Sequence, residues 1–374
     1  MKSVIGKLMS ELDTPALVVD LTVMEDNIQR LQHASDEAGL QVRPHIKSHK
    51  TPEIAQMQMR AGAVGVTAAK IGEAEVMASA GIEDIFIANC LIGEAKMRRL
   101  VALARRTPRL SISVESLECA RAASQAFEAA GMTLEVLLEV NSGADRTGVE
   151  PDEIVPFAGQ VTELPALEIV GVMGYASNFS YTRRGHEELV KGAAEEGAFM
   201  AAVAADLEAA GHRMQRVSGG ATPTAGRYKK GCGLTEIRCG TYLLNDMNQV
   251  DIGSCTVQQV ALSILATVVA HPTGERAIID AGTKGLSQQV GQTSDGYGWL
   301  SRPGGIPGAV VYKINDEHGF VDVSGAERDL EIGEKVRVIP PRTPTAVNLY
   351  DRICAVRDGT VQDVWCIAAR GKNT

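Results

Sequence analysis

From residue 14 to about 245, short apolar runs alternate with longer amphipathic stretches. Ala16–Asp20, Gln41–Pro44, Val64–Thr67, Asp84–Ala88, Leu110–Val114, Leu134–Val140, Glu168–Met173 and Arg213–Val217 read as strands. Between most of them lie Glu25–Ala38, Glu73–Ala80, Glu94–Ala104, Leu117–Ala130 and Glu187–Ala210. Apolar residues recur in these at three- and four-residue spacing, as at Ile28, Leu31 and Ala34, which predicts helices. Gly39, Gly62, Gly81, Gly131 and Gly211 close such stretches, where a left-handed cap favours glycine. Repeated β/α alternation predicts an α/β fold, a (β/α)8 TIM-type barrel. A doubly wound open sheet is the rival, but no G-x-G-x-x-G follows the first strand.

After about residue 250 the pattern changes. Val257–Ala270, Ala277–Ile279, Ala309–Ile314, Lys335–Ile339, Asp351–Val356 and Asp363–Ala369 read as strands. Turn residues separate them, as at Pro272-Thr273-Gly274, Arg302-Pro303-Gly304-Gly305 and Arg357-Asp358-Gly359. The expected organisation is a barrel over residues 14–250 and a β-rich C-terminal domain over 251–374, joined by residues 1–13.

Composition narrows the function classes. Hydrophobic residues make up 45% and aromatics only 4%, so the core is aliphatic, as suits helices on parallel strands. A net charge of −9 with interspersed signs argues against a general nucleic-acid or membrane-surface role. The seven cysteines are odd in number and none pair as C-x-x-C. A reduced, cytoplasmic protein is the expectation, with no apolar run long enough to span a bilayer.

The candidate chemistry starts in Arg43-Pro44-His45-Ile46-Lys47-Ser48-His49-Lys50-Thr51. A lysine at the C-terminal end of a barrel strand sits where such folds carry catalysis, and neighbouring cations would lower its pKa. The alternative is a solvated basic loop. His45 and His49 suit structural hydrogen bonding better than metal ligation, because His-x3-His binds a metal mainly on a helix. Val217-Ser218-Gly219-Gly220-Ala221-Thr222 follows a late strand, and its backbone N–H groups could receive an anion. Arg238-Cys239-Gly240-Thr241-Tyr242 could close the same pocket. Arg146 ends another strand, with a surface salt bridge as its alternative. A lysine, an arginine and an anion cup on one barrel face suggest a phosphate-bearing carbonyl cofactor, pyridoxal phosphate.

In order along nearly the whole chain, these segments resemble fold-type III pyridoxal-phosphate enzymes, an alanine-racemase-type barrel followed by a β-domain. The resemblance is nearest to D-threonine aldolase, D-3-hydroxyaspartate aldolase and D-serine dehydratase. The segments that carry it include Asp13-Thr14-Pro15-Ala16, Arg43 to Lys50, Lys70-Ile71-Gly72-Glu73, Arg146-Thr147-Gly148 and Val217-Ser218-Gly219-Gly220. Cys239-Gly240-Thr241-Tyr242, Asp280-Ala281-Gly282, Asp316-Glu317-His318-Gly319 and Ala369-Arg370-Gly371-Lys372 continue it. The resemblance implies that Lys47 binds pyridoxal 5'-phosphate covalently and that Arg146 reaches the ring's phenolic oxygen. Ser218, Gly219, Gly220, Gly240 and Thr241 would hold the phosphate, and Arg238 would face the pyridine nitrogen. It also implies a homodimer and a small amino-acid substrate.

The chain departs from the family in one respect that matters for chemistry. Aldolases and dehydratases of this group carry His-x-Asp or His-x-Cys as metal ligands in the C-terminal domain. Here Arg342 and Pro344 occupy those positions, and neither side chain can ligate a metal. A second difference falls at Tyr175-Ala176-Ser177-Asn178, where some relatives place a histidine near the ring. No metal is expected at the family positions. An arginine could instead grip a substrate oxygen, with a loop charge as its alternative. The leading expectation is therefore a lyase cleaving D-3-hydroxy amino acids to glycine and an aldehyde, with Lys47, His318 and Arg342 as catalytic residues. His318 is the candidate base, with a turn residue as its alternative. Amino-acid racemisation, dehydratase-type β-elimination and non-catalytic cofactor carriage are the rivals.

Overall fold

The computed structural model describes residues 2–175, 177–291, 296–300, 308–326 and 330–374. The expected turn at Arg302-Pro303-Gly304-Gly305 and the site neighbour Ala176 lie outside the described residues. The chain divides into two compact units.

One unit holds residues 30–47, 52–240 and 372–374. Its sheet has eight parallel strands in the order Gln41–Val42, Glu236–Ile237, Arg216–Gly219, Leu167–Met173, Leu134–Glu139, Arg109–Val114, Asp84–Ile87 and Val66–Ala68. A parallel bridge from His45 to Thr67, with a Val64 N–H to Val42 carbonyl bond of 3.0 Å, joins the two end strands. The ring is thereby closed, and the α/β barrel expectation holds. Strands such as Asp84–Ile87 are buried along their whole length, as parallel sheets covered by helices require. Phe86, Leu137, Val170 and Met173 form an interior cluster. Gly39, Gly62, Gly81, Gly131 and Gly211 all have positive φ, as expected of left-handed caps.

Two strand assignments need correction. Ala16–Asp20 does not open the barrel: it pairs antiparallel with Leu262–Thr273 and parallel with Arg352–Arg357. Leu17, Val18 and Val19 are all buried, so the run carries no alternation to reveal which sheet it joins. The eighth barrel strand is instead Glu236–Ile237, only two residues long. The expected Arg213–Val217 strand lies further on, at Arg216–Gly219, which brings Ser218 and Gly219 into the sheet itself.

The other unit, residues 1–29, 48–51 and 241–371, is built on a mixed sheet centred on the 12-residue strand Leu262–Thr273. Leu12, Val18, Leu265, Val356 and Val361 pack together as one of its cores. Among the described residues no helix is long and apolar enough to cross a membrane.

Candidate active site

Lys47 stands in a single 3-10 turn, Ile46–Ser48, just past the Gln41–Val42 strand. Pro44 lacks an N–H for the ladder, yet pairing resumes at His45 and the turn begins only at Ile46. The Arg43 guanidinium is buried and bonded to Asp84 and to Glu236, the latter at 3.0 Å. His45 and His49 act on the backbone through Nδ1, accepting the N–H of Lys47 at 3.5 Å and of Thr51 at 3.1 Å. Those bonds fit the structural reading of the two histidines.

The Lys47 Nζ lies 5.7 Å from the centroid of the Tyr175 ring, and the Arg146 guanidinium carbon 4.7 Å from it. Tyr175 thus gathers both expected cations at the C-terminal mouth of the barrel, within cation–π range. Its backbone is clamped by Ser142, whose Oγ accepts the Tyr175 N–H at 3.0 Å and donates to its carbonyl at 2.8 Å. The loop carrying Arg146 is braced in turn. Asn141 Oδ1 accepts the Gly143 N–H at 3.0 Å, and Thr147 donates its hydroxyl to Glu139 at 2.6 Å. An amine, an aromatic face and a guanidinium together suit a flat, anionic, carbonyl-bearing group.

The glycine cup is more occupied than its sequence suggests. Ser218 donates its hydroxyl to the buried Glu236 at 2.7 Å and accepts from Arg238 Nε at 2.8 Å. The Gly220 N–H, which an anion was expected to take, donates to Glu196 at 2.6 Å. Glu196 is 1% exposed, and burial raises its pKa. Arg238 is held on the barrel interior by Ser218 and by the Gly174 carbonyl, and burial lowers its pKa. Gly219 and Gly220 still permit a close backbone approach: a Cβ on Gly219 would come within 2.7 Å of Glu196, and one on Gly220 within 2.9 Å of Ile237. Gly240 ends the barrel unit, and Thr241 begins a 3-10 turn, Thr241–Leu243, in the other.

In the β-rich unit, His318 is exposed on the turn before the Gly319–Asp322 strand, with its backbone N–H held by Asn315 Oδ1 at 2.8 Å. Arg342 is exposed at the start of the short helix Thr343–Val347, where its side chain makes no capping bond. Beneath it, Asp246 accepts the N–H groups of Gln249 and Thr343, each at 3.0 Å. Lys284 pairs with Glu317, not with the nearby Asp280. Asp280 instead takes the Thr267 N–H at 2.7 Å.

Two site features escape the sequence reading. Tyr175 stands there only as part of a segment where some relatives place a histidine, and Glu196 is not singled out within the predicted helix Glu187–Ala210. Glu196 shares the helical stripe of Leu189, Ala193, Met200 and Val203, all buried. A carboxylate on an apolar stripe is the clue that could have found it.

Comparison with known proteins gives matches over nearly the full length. The family description "Alanine racemase, N-terminal domain" matches residues 19–247, and that of a serine dehydratase domain matches 261–356. D-threonine aldolase of Arthrobacter sp is 34% identical over 372 residues, covering 98% of this chain and 95% of that protein. D-threo-3-hydroxyaspartate dehydratase of Delftia sp. (strain HT23) is also 34% identical, covering 94% and 96%. The crystal structure of D-threonine aldolase from Filomicrobium marinum superposes with a TM-score of 0.89 at 32% identity, covering 99% of both chains.

Proposed function

This chain belongs to the family that joins an alanine racemase N-terminal domain to a serine dehydratase domain, and from that premise we propose that it cleaves D-3-hydroxy amino acids to glycine and an aldehyde. The observation that carries the reading is the Tyr175 ring with Lys47 at 5.7 Å and Arg146 at 4.7 Å. That arrangement supports pyridoxal 5'-phosphate as the group held at the barrel mouth, with Lys47 as its covalent anchor and Arg146 and Tyr175 against its ring. Pyridoxal 5'-phosphate, when bound, withdraws electrons from the substrate's Cα, so that the bond to the hydroxyl-bearing carbon can break. Arg238 keeps a cation within the barrel on the Ser218 side, and the Gly219–Gly220 turn lets the backbone approach a phosphate closely.

Cleavage converts the β-hydroxyl to an aldehyde, so that hydroxyl must lose its proton. His318 is the proposed base, its imidazole offering a ring nitrogen that can accept the proton. Arg342 is the proposed grip on a substrate carboxylate or hydroxyl oxygen, through its paired N–H donors. This role replaces the metal that relatives hold at the same segment, since guanidinium and proline side chains donate no electron pair. The family resemblance supports a homodimer as the working assembly.

Dehydration is the second reading, favoured by the equal 34% identity of the Delftia dehydratase. It would expel hydroxide, which is a poor leaving group without a Lewis acid, so Arg342 and Pro344 weigh against it. The reading is tested with Lys47→Ala. The variant should lose both aldehyde release and the visible absorbance of a lysine-bound cofactor. Retention of either overturns Lys47 as anchor.

A further inference from the structure

Three neighbouring strand ends of the barrel converge on a cluster that the proposed chemistry does not use. Glu139 is the last residue of Leu134–Glu139, Glu115 directly follows Arg109–Val114, and Cys90 lies just beyond Asp84–Ile87. These strands are consecutive in the sheet, so the three side chains share the C-terminal face. The Cys90 Sγ and one carboxylate oxygen from each glutamate lie within 4.8 Å of one another.

Part of this set is already compensated, since the buried Arg238 guanidinium attracts Glu139. Glu139 is 4% exposed and receives one hydroxyl, from Thr147 at 2.6 Å. Glu115 bonds the Cys90 thiol and Ser116, yet its Oε2 is enclosed and has no hydrogen-bond partner. A shielded carboxylate oxygen without a donor is costly, and a second carboxylate nearby adds repulsion. Thus a thiol sulfur and two carboxylate oxygens meet at one point beside an enclosed oxygen that has no donor. A divalent cation would satisfy the orphaned oxygen.

We propose that Cys90, Glu115 and Glu139 form a binding site for a thiophilic divalent cation, zinc foremost, on the C-terminal face of the barrel. One sulfur and two carboxylate oxygens match zinc's donor preferences, whereas magnesium, calcium and manganese favour all-oxygen sets. Glu139 closes a strand and Glu115 directly follows one, so the sheet places two of the three donors. This site lies in a different unit from Arg342 and Pro344, and the inference stands whether or not the lyase reading does.

The test uses the full-length protein equilibrated with zinc and dialysed, with metal content and zinc-edge X-ray absorption as readouts. Wild type and Cys366→Ser, altered at an exposed thiol outside the cluster, should each retain about one zinc per chain, with a sulfur neighbour at about 2.3 Å. Cys90→Ser should lose the sulfur neighbour, and Glu115→Gln should weaken binding by tenfold or more. Absence of bound zinc in wild type overturns the proposal. So does zinc with only nitrogen and oxygen neighbours, a measurement that needs no variant to fold. Undiminished binding in both Cys90→Ser and Glu115→Gln overturns it as well.

Discussion

The carboxylate of Glu196 accepts the Gly220 N–H at 2.6 Å, from directly beneath the turn that was expected to cradle an anion. Its other oxygen meets the buried Tyr228 hydroxyl at 2.5 Å. A helix residue therefore sets the shape of the glycine turn from inside the barrel wall.

Glu196→Gln should be tolerated, because an amide oxygen can still accept from Gly220. Glu196→Ala should cost about 1–3 kcal/mol for each buried partner left unsatisfied. Denaturant midpoints of the two variants, compared with wild type, check the difference.

Gly220→Ala should lower stability by at least about 1–2 kcal/mol, the cost of a left-handed backbone with a Cβ. Gly220 has φ +85°, and its Cβ would stand 2.9 Å from that of Ile237. Cofactor retention should fall with it, which thermal melting and cofactor absorbance would together record.

Tyr175→Phe should keep the contacts to Lys47 and Arg146, because both are made to the ring face. Tyr175→Ala removes two cation–π contacts worth about 0.5–2 kcal/mol each. Cofactor affinity should then drop by about tenfold or more, read by equilibrium dialysis.

Acid and mid-range pH should act on different units. Burial alone would raise Glu236, but Arg43 and Arg216 outweigh it and hold it at about 2. Its stabilisation is present above the unfolded value of about 4.3 and is lost as pH falls toward about 2. Asp246 is pushed up to about 6 by burial. Its contribution is full below about 3.9 and is lost as pH rises through about 6. Asp246→Asn keeps a capping side chain, and should flatten the urea midpoint between about pH 4 and pH 6.

Manganese should leave the wild-type rate unchanged, since Arg342 and Pro344 cannot ligate it. Arg342→His combined with Pro344→Asp should create manganese binding, detectable by electron paramagnetic resonance. Manganese stimulation of the unaltered enzyme would contradict the role given to Arg342.

The barrel was legible because its strands are aliphatic and its helices end in glycine. Glu94–Ala104 is a helix over the very span its spacing predicts. Ala16–Asp20 misled because a run buried on both faces looks alike in either sheet. Glu236–Ile237 is too short for periodicity to register, and its pairing depends on strands far away in sequence. The lysine and arginine of the site could be read from motifs. Their convergence on Tyr175 could not, since it depends on how strand ends far apart in sequence come together around the barrel mouth. The Cys90, Glu115 and Glu139 cluster was hidden for the same reason.

The most direct measurement is product analysis with D-threonine and D-phenylserine. The account predicts glycine and the matching aldehyde in equal amounts, with no 2-oxo acid or ammonia. Ammonia and a 2-oxo acid would make the protein a dehydratase, and hydrogen exchange at Cα without cleavage would make it a racemase. Either result contradicts the account.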